Sequence, residues 1–220
     1  MSNNQKTYQI AIDGPSGAGK SSIAKCICDK LGFTFINTGA MYRCYALALI
    51  RQNVDLNNID QVMSVINNTH IKIDKDQYFI NIENVTDQLH DNTVALMASK
   101  IGTFKEVREK CVAEQQKLAS GINCVMEGRD TTSVVLPNAT LKVYLDADVE
   151  LRALRRFKQI NEAEPLDVVR KKIIERDHQD MNRAFSPLTK VKDAFVVYDK
   201  NKTIEEVSDI IIAEFKKRVS

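Results

Sequence analysis

Gly14-Pro15-Ser16-Gly17-Ala18-Gly19-Lys20-Ser21, followed by Ser22, fits the pattern G-x-x-x-x-G-K-[ST] in full. Before it, Tyr8-Gln9-Ile10-Ala11-Ile12 is an apolar run of strand length that ends at Asp13 and Gly14. After it, Ile23, Ala24, Ile27 and Leu31 share one helical face until Gly32 supplies a stop. Strand, glycine-rich loop and helix in this order make a cradle for phosphate. The glycines let the backbone wrap an anion with its N–H groups pointing inward, and the helix presents its positive end to the same charge. Lys20 is placed to reach the β- and γ-phosphates of a nucleotide, and Ser21 to supply a hydroxyl to Mg²⁺.

Working outward, Phe33-Thr34-Phe35-Ile36 reads as a second strand, followed by a helix from about Ala40 to Arg51. From Thr69 to Val85 the period changes: Ile71 and Ile73, then Tyr78, Ile80 and Ile82, alternate with polar residues about a turn at Asp74 to Gln77. Helical patterning returns between about Thr93 and Ser120. Asn123 to Met126 and Leu141 to Leu145 are further core strands, each followed closely by an acid, Glu127 and Asp146. Charged helices follow from Val149 to about Asn161 and from about Leu166 to Met181. Phe195 to Tyr198 supplies a last strand, and Thr203 with Glu206 forms a capping box for a terminal helix. Five strands alternating with helices predict an α/β three-layer fold with a central five-stranded parallel sheet. The antiparallel element is a small insert outside that sheet.

Composition narrows the function. Thirty-one basic against 29 acidic residues leave a net charge of +2, which gives no support to a general nucleic-acid binder. The longest apolar run, Cys44 to Ile50, is far below the ~18 residues of a membrane span. Residues 1–7 are polar and lack the apolar stretch of a signal peptide, so a soluble cytoplasmic chain without a membrane partner is expected. Cys26, Cys28, Cys44, Cys111 and Cys124 form no C-x-x-C pair, and His70, His90 and His178 have no helical H-x-x-x-H spacing. Reduced thiols and no histidine metal site are expected.

A phosphate cradle alone serves GTPases, motors and kinases. Asp199-Lys200-Asn201-Lys202 does not match the guanine-reading N-K-x-D, and motors usually need a larger chain than 220 residues. Small-molecule kinases remain. Their chemistry needs several cations around a crowded anionic centre. Arg43 follows the second strand, Arg129 ends the third, and Arg176, Asp180 and Arg183 lie along or just beyond a late helix.

Asp13-Gly14-Pro15-Ser16-Gly17-Ala18-Gly19-Lys20, Thr38-Gly39-Ala40-Met41-Tyr42-Arg43, Glu127-Gly128-Arg129-Asp130 and Arg176-Asp177-x-x-Asp180-x-Asn182-Arg183 together resemble bacterial cytidylate kinases, over nearly the whole chain. The resemblance implies ATP-dependent transfer of a phosphoryl group to CMP or dCMP by a monomer, with Lys20, Arg129 and Arg183 catalytic. It places acceptor phosphate at Arg43 and Arg129, with Thr38 nearby. It places the cytosine ring at Ser99, Arg108 and Asp130, the sugar at Arg176 and Asp180, and Arg183 near the transferring group. Arg155 and Arg156, with Arg152 on the same helix and no obvious partners within it, look like part of a lid over ATP. Glu127, beside Ser21 in role, looks like a water-mediated Mg²⁺ holder. The implied organisation is one kinase domain: a core of about 1–38, 92–148 and 182–220, an acceptor-binding insert of about 39–91 and a lid of about 149–181. There are departures from the family pattern, among them His178, Gln179 and Met181, which make the late helix less basic than in some relatives. Asn37 and Glu127 stand where Asp is more frequent, and Thr132 where Gly is usual, so the loop after Asp130 is expected to take a different path. UMP, AMP or shikimate as acceptor, and a nucleotide-binding regulator without turnover, are the competing readings.

Overall fold

The centre of the sheet is β1 (Gln9–Asp13), whose Ile10, Ala11 and Ile12 are fully buried. A strand covered on both faces needs a continuous apolar run, which explains why this segment does not alternate. The computed structural model describes residues 7–74 and 76–220; the polar N-terminal stretch and Lys75, in the expected turn at 74–77, lie outside them. β1 is flanked by β6 (Cys124–Gly128) and β7 (Leu141–Ala147), and the sheet is completed by β2 (Thr34–Asn37) and β8 (Phe195–Asp199) in the order β2-β6-β1-β7-β8. The β1–β6, β1–β7 and β7–β8 ladders are parallel. Asp13 lies opposite Gly128 and Tyr144, so the phosphate-loop motif leaves the sheet beside the Glu127-to-Asp130 segment.

By its contacts the chain divides into two compact units. The first comprises the chain up to Ile36 together with Ala119–Ser220. In it α1 (Lys20–Leu31) and α8 (Ile204–Val219) share a core in which Ile23, Ile27, Val207, Ile211 and Phe215 meet Ile10, Ile12, Val125 and Val143. Gly32 ends α1 in the left-handed conformation, its N–H returning to the Cys28 carbonyl, and Thr203 and Glu206 form the expected capping box of α8. The charged helices α6 (Val149–Gln159) and α7 (Leu166–Asn182) pack on each other through Ala153, Val169 and Ile173.

The second unit is Asn37–Leu118. It contains α2 (Thr38–Arg51), α3 (Ile59–Asn67), an antiparallel sheet of β3 (Ile71–Asp74), β4 (Gln77–Ile80) and β5 (Glu83–Asn84), then α4 (Asn92–Ile101) and most of α5 (Lys105–Ala119). This division differs from the expected boundaries, which gave 92–118 to the core. Val94, Ala98 and Ile101 of α4, with Val107 and Cys111 of α5, join the cluster of Tyr45, Leu49, Val62 and Ile66 instead. The helical patterning expected between about Thr93 and Ser120 resolves into two helices, broken where the Gly102, Thr103 and Phe104 amides turn back onto α4 carbonyls. α2 begins at Thr38 because the Asn37 side chain accepts from the Ala40 amide at 2.9 Å. Asn and Asp cap equally well, so the Asn37 departure leaves this helix start intact. All five cysteines are free thiols.

Candidate active site

Two glycines of the loop are fixed by close approach. A Cβ on Gly14 would lie 1.9 Å from the Leu145 carbonyl oxygen, and one on Gly17 3.0 Å from that of Arg152. Gly17 and Gly19 also have φ of 75° and 89°, which L side chains rarely adopt. Gly19 is the N-cap of α1 and no side chain caps the helix there. The first-turn amides around Lys20, Ser21 and Ser22 are therefore left to an anion. Lys20 is 5% exposed and its Nζ donates to the Gly14 and Pro15 carbonyls, each at 2.8 Å. Burial lowers its pKa to about 7, and the Arg129 charge adds to the effect against the pull of Glu127, Asp13 and Asp180. Ser21 Oγ donates to Glu127 Oε1 at 2.7 Å.

Beyond β6 the cations gather on one carboxylate. Arg129 Nε donates to Asp180 Oδ2 at 2.8 Å, and Arg183 Nη1 lies 3.5 Å from Asp180 Oδ1. Arg183 Nη2 lies 3.9 Å from Asp130 Oδ1, and its Nε donates to the Ser186 carbonyl. Burial pushes the Asp180 carboxyl up, but Arg129, Arg176 and Arg183 together outweigh it and hold it below the usual carboxylate range. Burial works equally against the Arg129 charge and is outweighed by Asp180 and Glu127. Lys20, Glu127, Arg129, Asp130, Arg176, Asp180 and Arg183 thus all lie in the first unit.

Two of the three arginines of α6 find their partners outside that helix. Arg152 is buried and donates to the Ala147 and Ser16 carbonyls and to Asp177, whose other oxygen accepts from the Ser16 amide at 2.8 Å. Ser16 of the phosphate loop is therefore held by both its backbone groups. Arg155 Nη2 pairs at 2.8 Å with Asp199, which is 2% exposed. Arg156 has a partner within its own helix after all: its Nη1 donates to Gln159. Amphipathic spacing showed three arginines on one helix but not which of them had counter-charges on α7 and β8. Asp177 and Asp13 carry no assigned role in the sequence reading; the signal for Asp13 is an acid that closes a largely apolar strand.

The second unit carries Thr38, Arg43, Ser99 and Arg108. Thr38 is buried at the first position of α2. Arg43 turns back along that helix, its Nη1 3.7 Å from where a Gly39 Cβ would stand. Arg108 is buried on α5; its Nη1 donates to the Gly102 carbonyl at 3.0 Å and its guanidinium lies 5.5 Å from the Tyr42 ring centre. The break between α4 and α5 supplies that carbonyl.

A phosphate loop at the end of a central parallel strand, with an arginine and carboxylate cluster at the end of the next, defines a P-loop phosphotransferase. The chain matches the family described as Cytidylate kinase over residues 10–217. It is 39% identical over 207 residues to the cytidylate kinase of Alkaliphilus oremlandii, covering 93% of this chain and 95% of that one. It is 40% identical over 222 residues to that of Mycoplasmoides gallisepticum, covering 100% and 98%. The fold is also that of a shikimate kinase from Acinetobacter baumannii, with a TM-score of 0.50 at 14% identity over 96% of this chain and 94% of that one. The chain belongs to the cytidylate kinase family, and its activity is the ATP-dependent phosphorylation of cytidylate.

Proposed function

We propose that CMP and dCMP are phosphorylated by direct attack of an acceptor phosphate oxygen on the γ-phosphorus of ATP, with no covalent enzyme intermediate. The observation that carries this reading is the Arg129–Asp180–Arg183 cluster near Lys20, a set of cations held ready by a carboxylate rather than a nucleophile–base pair. Direct transfer needs alignment and positive charge, because two anions must approach each other. Lys20 and the loop amides hold the donor phosphates, and Arg155 lies against Gly19 of that loop. Arg43 and Arg129 take the acceptor phosphate, Arg176 and Asp180 the sugar, and Arg183 the group in transit. Ser99, Arg108 and Asp130 read the base. An ionised carboxylate accepts from the cytosine amino group and repels the uracil O4, while a guanidinium suits cytosine N3 or O2.

Ser21 and Glu127 present two hard oxygens in contact, a donor set suited to Mg²⁺, and the longer Glu arm spans the distance to Ser21. When bound there, Mg²⁺ supplies charge neutralisation to the donor phosphates. Among the described residues no group of three or more His, Cys, Asp or Glu could hold a metal ion, so Ser21 and Glu127 would hold Mg²⁺ only together with non-protein oxygens. Among the same residues no helix is long and apolar enough to cross a membrane. A cytoplasmic monomer belongs to the same proposal, as does the lack of nucleic-acid binding, which the net charge of +2 supports.

The test is a coupled assay of diphosphate formation with Mg²⁺ and ATP across CMP, dCMP, UMP, AMP, GMP and shikimate. CMP and dCMP are expected to lead kcat/KM by about a hundredfold or more over the others, the range open to a site that leaves a wrong base's polar groups unpaired. Comparable efficiency with UMP, AMP or shikimate overturns the acceptor assignment.

A further inference from the structure

Asp13 closes β1 with its side chain fully buried, and no phosphate-binding role falls to it. Its carboxylate accepts three hydrogen bonds from a segment more than a hundred residues away in sequence. Oδ1 accepts from the Thr131 amide at 2.9 Å; Oδ2 accepts from the Thr132 amide at 2.7 Å and from Thr132 Oγ1 at 2.6 Å. These donors open a π turn, Thr131–Val135, in which the Val135 and Leu136 amides return to the Asp130 and Thr131 carbonyls. Amides at the start of a helical turn have no partner within it, and leaving two of them buried and unsatisfied is costly. An Asp immediately before a helix is ordinarily the residue that satisfies them. Here Asp130 holds that N-cap position, yet its side chain makes no capping bond. Asp13 caps the turn from the neighbouring strand instead.

We propose that Asp13 and Thr132 form a positioning latch: by capping the π turn from outside, they relieve Asp130 of that duty and fix Arg129 and Asp130 for the acceptor nucleotide. The latch rests on the acceptor roles given above to those two residues. Thr132 is the part peculiar to a chain with a side chain where glycine is usual. Its φ is not among the positive values, so the position needs no glycine, and the hydroxyl adds a third bond to two that any residue there would make. Burial pushes the Asp13 carboxyl up, and the bonds from Thr132 and Thr131 oppose that shift without cancelling it. Each donor removed therefore loosens the anchoring of a carboxylate that the interior already disfavours. The turn sits directly behind Arg129 and Asp130 in sequence, and its backbone leads straight into their Cα positions.

The experiment compares Thr132→Val and Thr132→Ser with the unsubstituted chain, measuring KM for CMP and ATP separately alongside thermal unfolding. Thr132→Val keeps the shape and the amide but removes the hydroxyl donor. It is expected to raise KM for CMP about tenfold, the weight of one hydrogen bond to a charged group, and to leave KM for ATP within about twofold. Thr132→Ser restores the donor and is expected to restore KM for CMP. A purely structural role would lower the folded fraction and the rate without splitting the two KM values. Thr132→Gly removes the same bond without placing a methyl group beside the carboxylate, and carries the same expectation should the valine variant not fold. An unchanged KM for CMP, or equal changes for both substrates, overturns the latch. Asp130→Asn separates the two levels of inference. If it keeps the CMP to UMP ratio, the base-reading role falls, whereas the latch stands or falls on the CMP to ATP split at Thr132.

Discussion

ATP binding should take up a proton above neutral pH, and the group that takes it is Lys20. In the free protein Lys20 is buried among the Gly14 and Pro15 carbonyls with Arg129 close enough to repel it, and its pKa falls to about 7 from the ordinary 10.5. Triphosphate in the loop reverses that balance, because several negative charges reach an ammonium in a site of low dielectric. The bound form is then fully protonated across the working range. A free-state pKa of about 7 gives an uptake of about 0.2 proton at pH 6.5 and about 0.9 at pH 8. Each further pH unit above that pKa weakens ATP about tenfold, or about 1.4 kcal/mol. The sign for stability follows from the same pair of values. Between about 7 and 10.5 the unfolded chain holds the Lys20 proton and the folded one does not, so this group makes the fold more stable as pH rises through that window. Calorimetry of ATP binding in buffers of different ionisation enthalpy measures the uptake directly. Lys20→Met separates it from titration of the nucleotide itself, because the substituted protein retains only the ligand's own contribution. Equal proton uptake by both proteins at pH 8 would refute the reasoning.

Asp177→Asn leaves Arg152 charged and buried without its counter-ion, and is expected to cost about 3 kcal/mol of stability, read as a fall in Tm near 10 °C. Replacing the same carboxylate should also raise KM for ATP more than KM for CMP, since Asp177 holds Ser16 of the phosphate loop; a shift confined to CMP counts against the assignment. Asp130→Asn replaces an acceptor-only group by one that can donate, and competition assays should show CMP efficiency falling while UMP gains relative to it by about tenfold or more.

What the sequence disclosed and what it withheld divide by range of interaction. The phosphate loop, the Gly32 stop and the Thr203–Glu206 capping box are set by residues within a few positions of one another, and each was legible. β1 and β6 were legible because a doubly covered strand advertises itself as an apolar run, and β2, β7 and β8 as short apolar segments of strand length. α3 was passed over although Ile59, Val62, Met63 and Ile66 recur at helical spacing, a signal present in the sequence beside the polar Asn57, Asn58, Asp60 and Gln61. The packing of 92–118 was hidden for a different reason: spacing shows that Val94, Ala98 and Ile101 share a face, but not which surface receives it. At the site, residue types announced phosphate chemistry, whereas the partners that hold them lie far along the chain. Asp13 finds Thr132, Ser16 finds Asp177, and Arg155 finds Asp199, none of them at a separation that any local rule scans.

These long-range carboxylates answer a physical problem common to sites that bind polyanions. Arginines brought together to receive phosphate repel one another and lose hydration. Without counter-charges, the cluster would spread before a substrate arrived. Asp180 takes up Arg129 and leans on Arg183, Asp177 neutralises Arg152, and Asp199 neutralises Arg155. The three pairs differ in what they leave available. Arg152 spends its donors on Ala147, Ser16 and Asp177 and shapes the loop rather than meeting a ligand. Arg129 and Arg183 share one carboxylate, while Arg183 also donates to the Ser186 carbonyl, so incoming phosphate oxygens compete with Asp180 for both cations. A carboxylate held below its usual pKa by three guanidiniums keeps its charge to lower pH than an ordinary one, and the poised cluster persists with it. Asp180 therefore contributes stability that is complete above the ordinary carboxylate pKa and is lost only as pH falls through its lowered value.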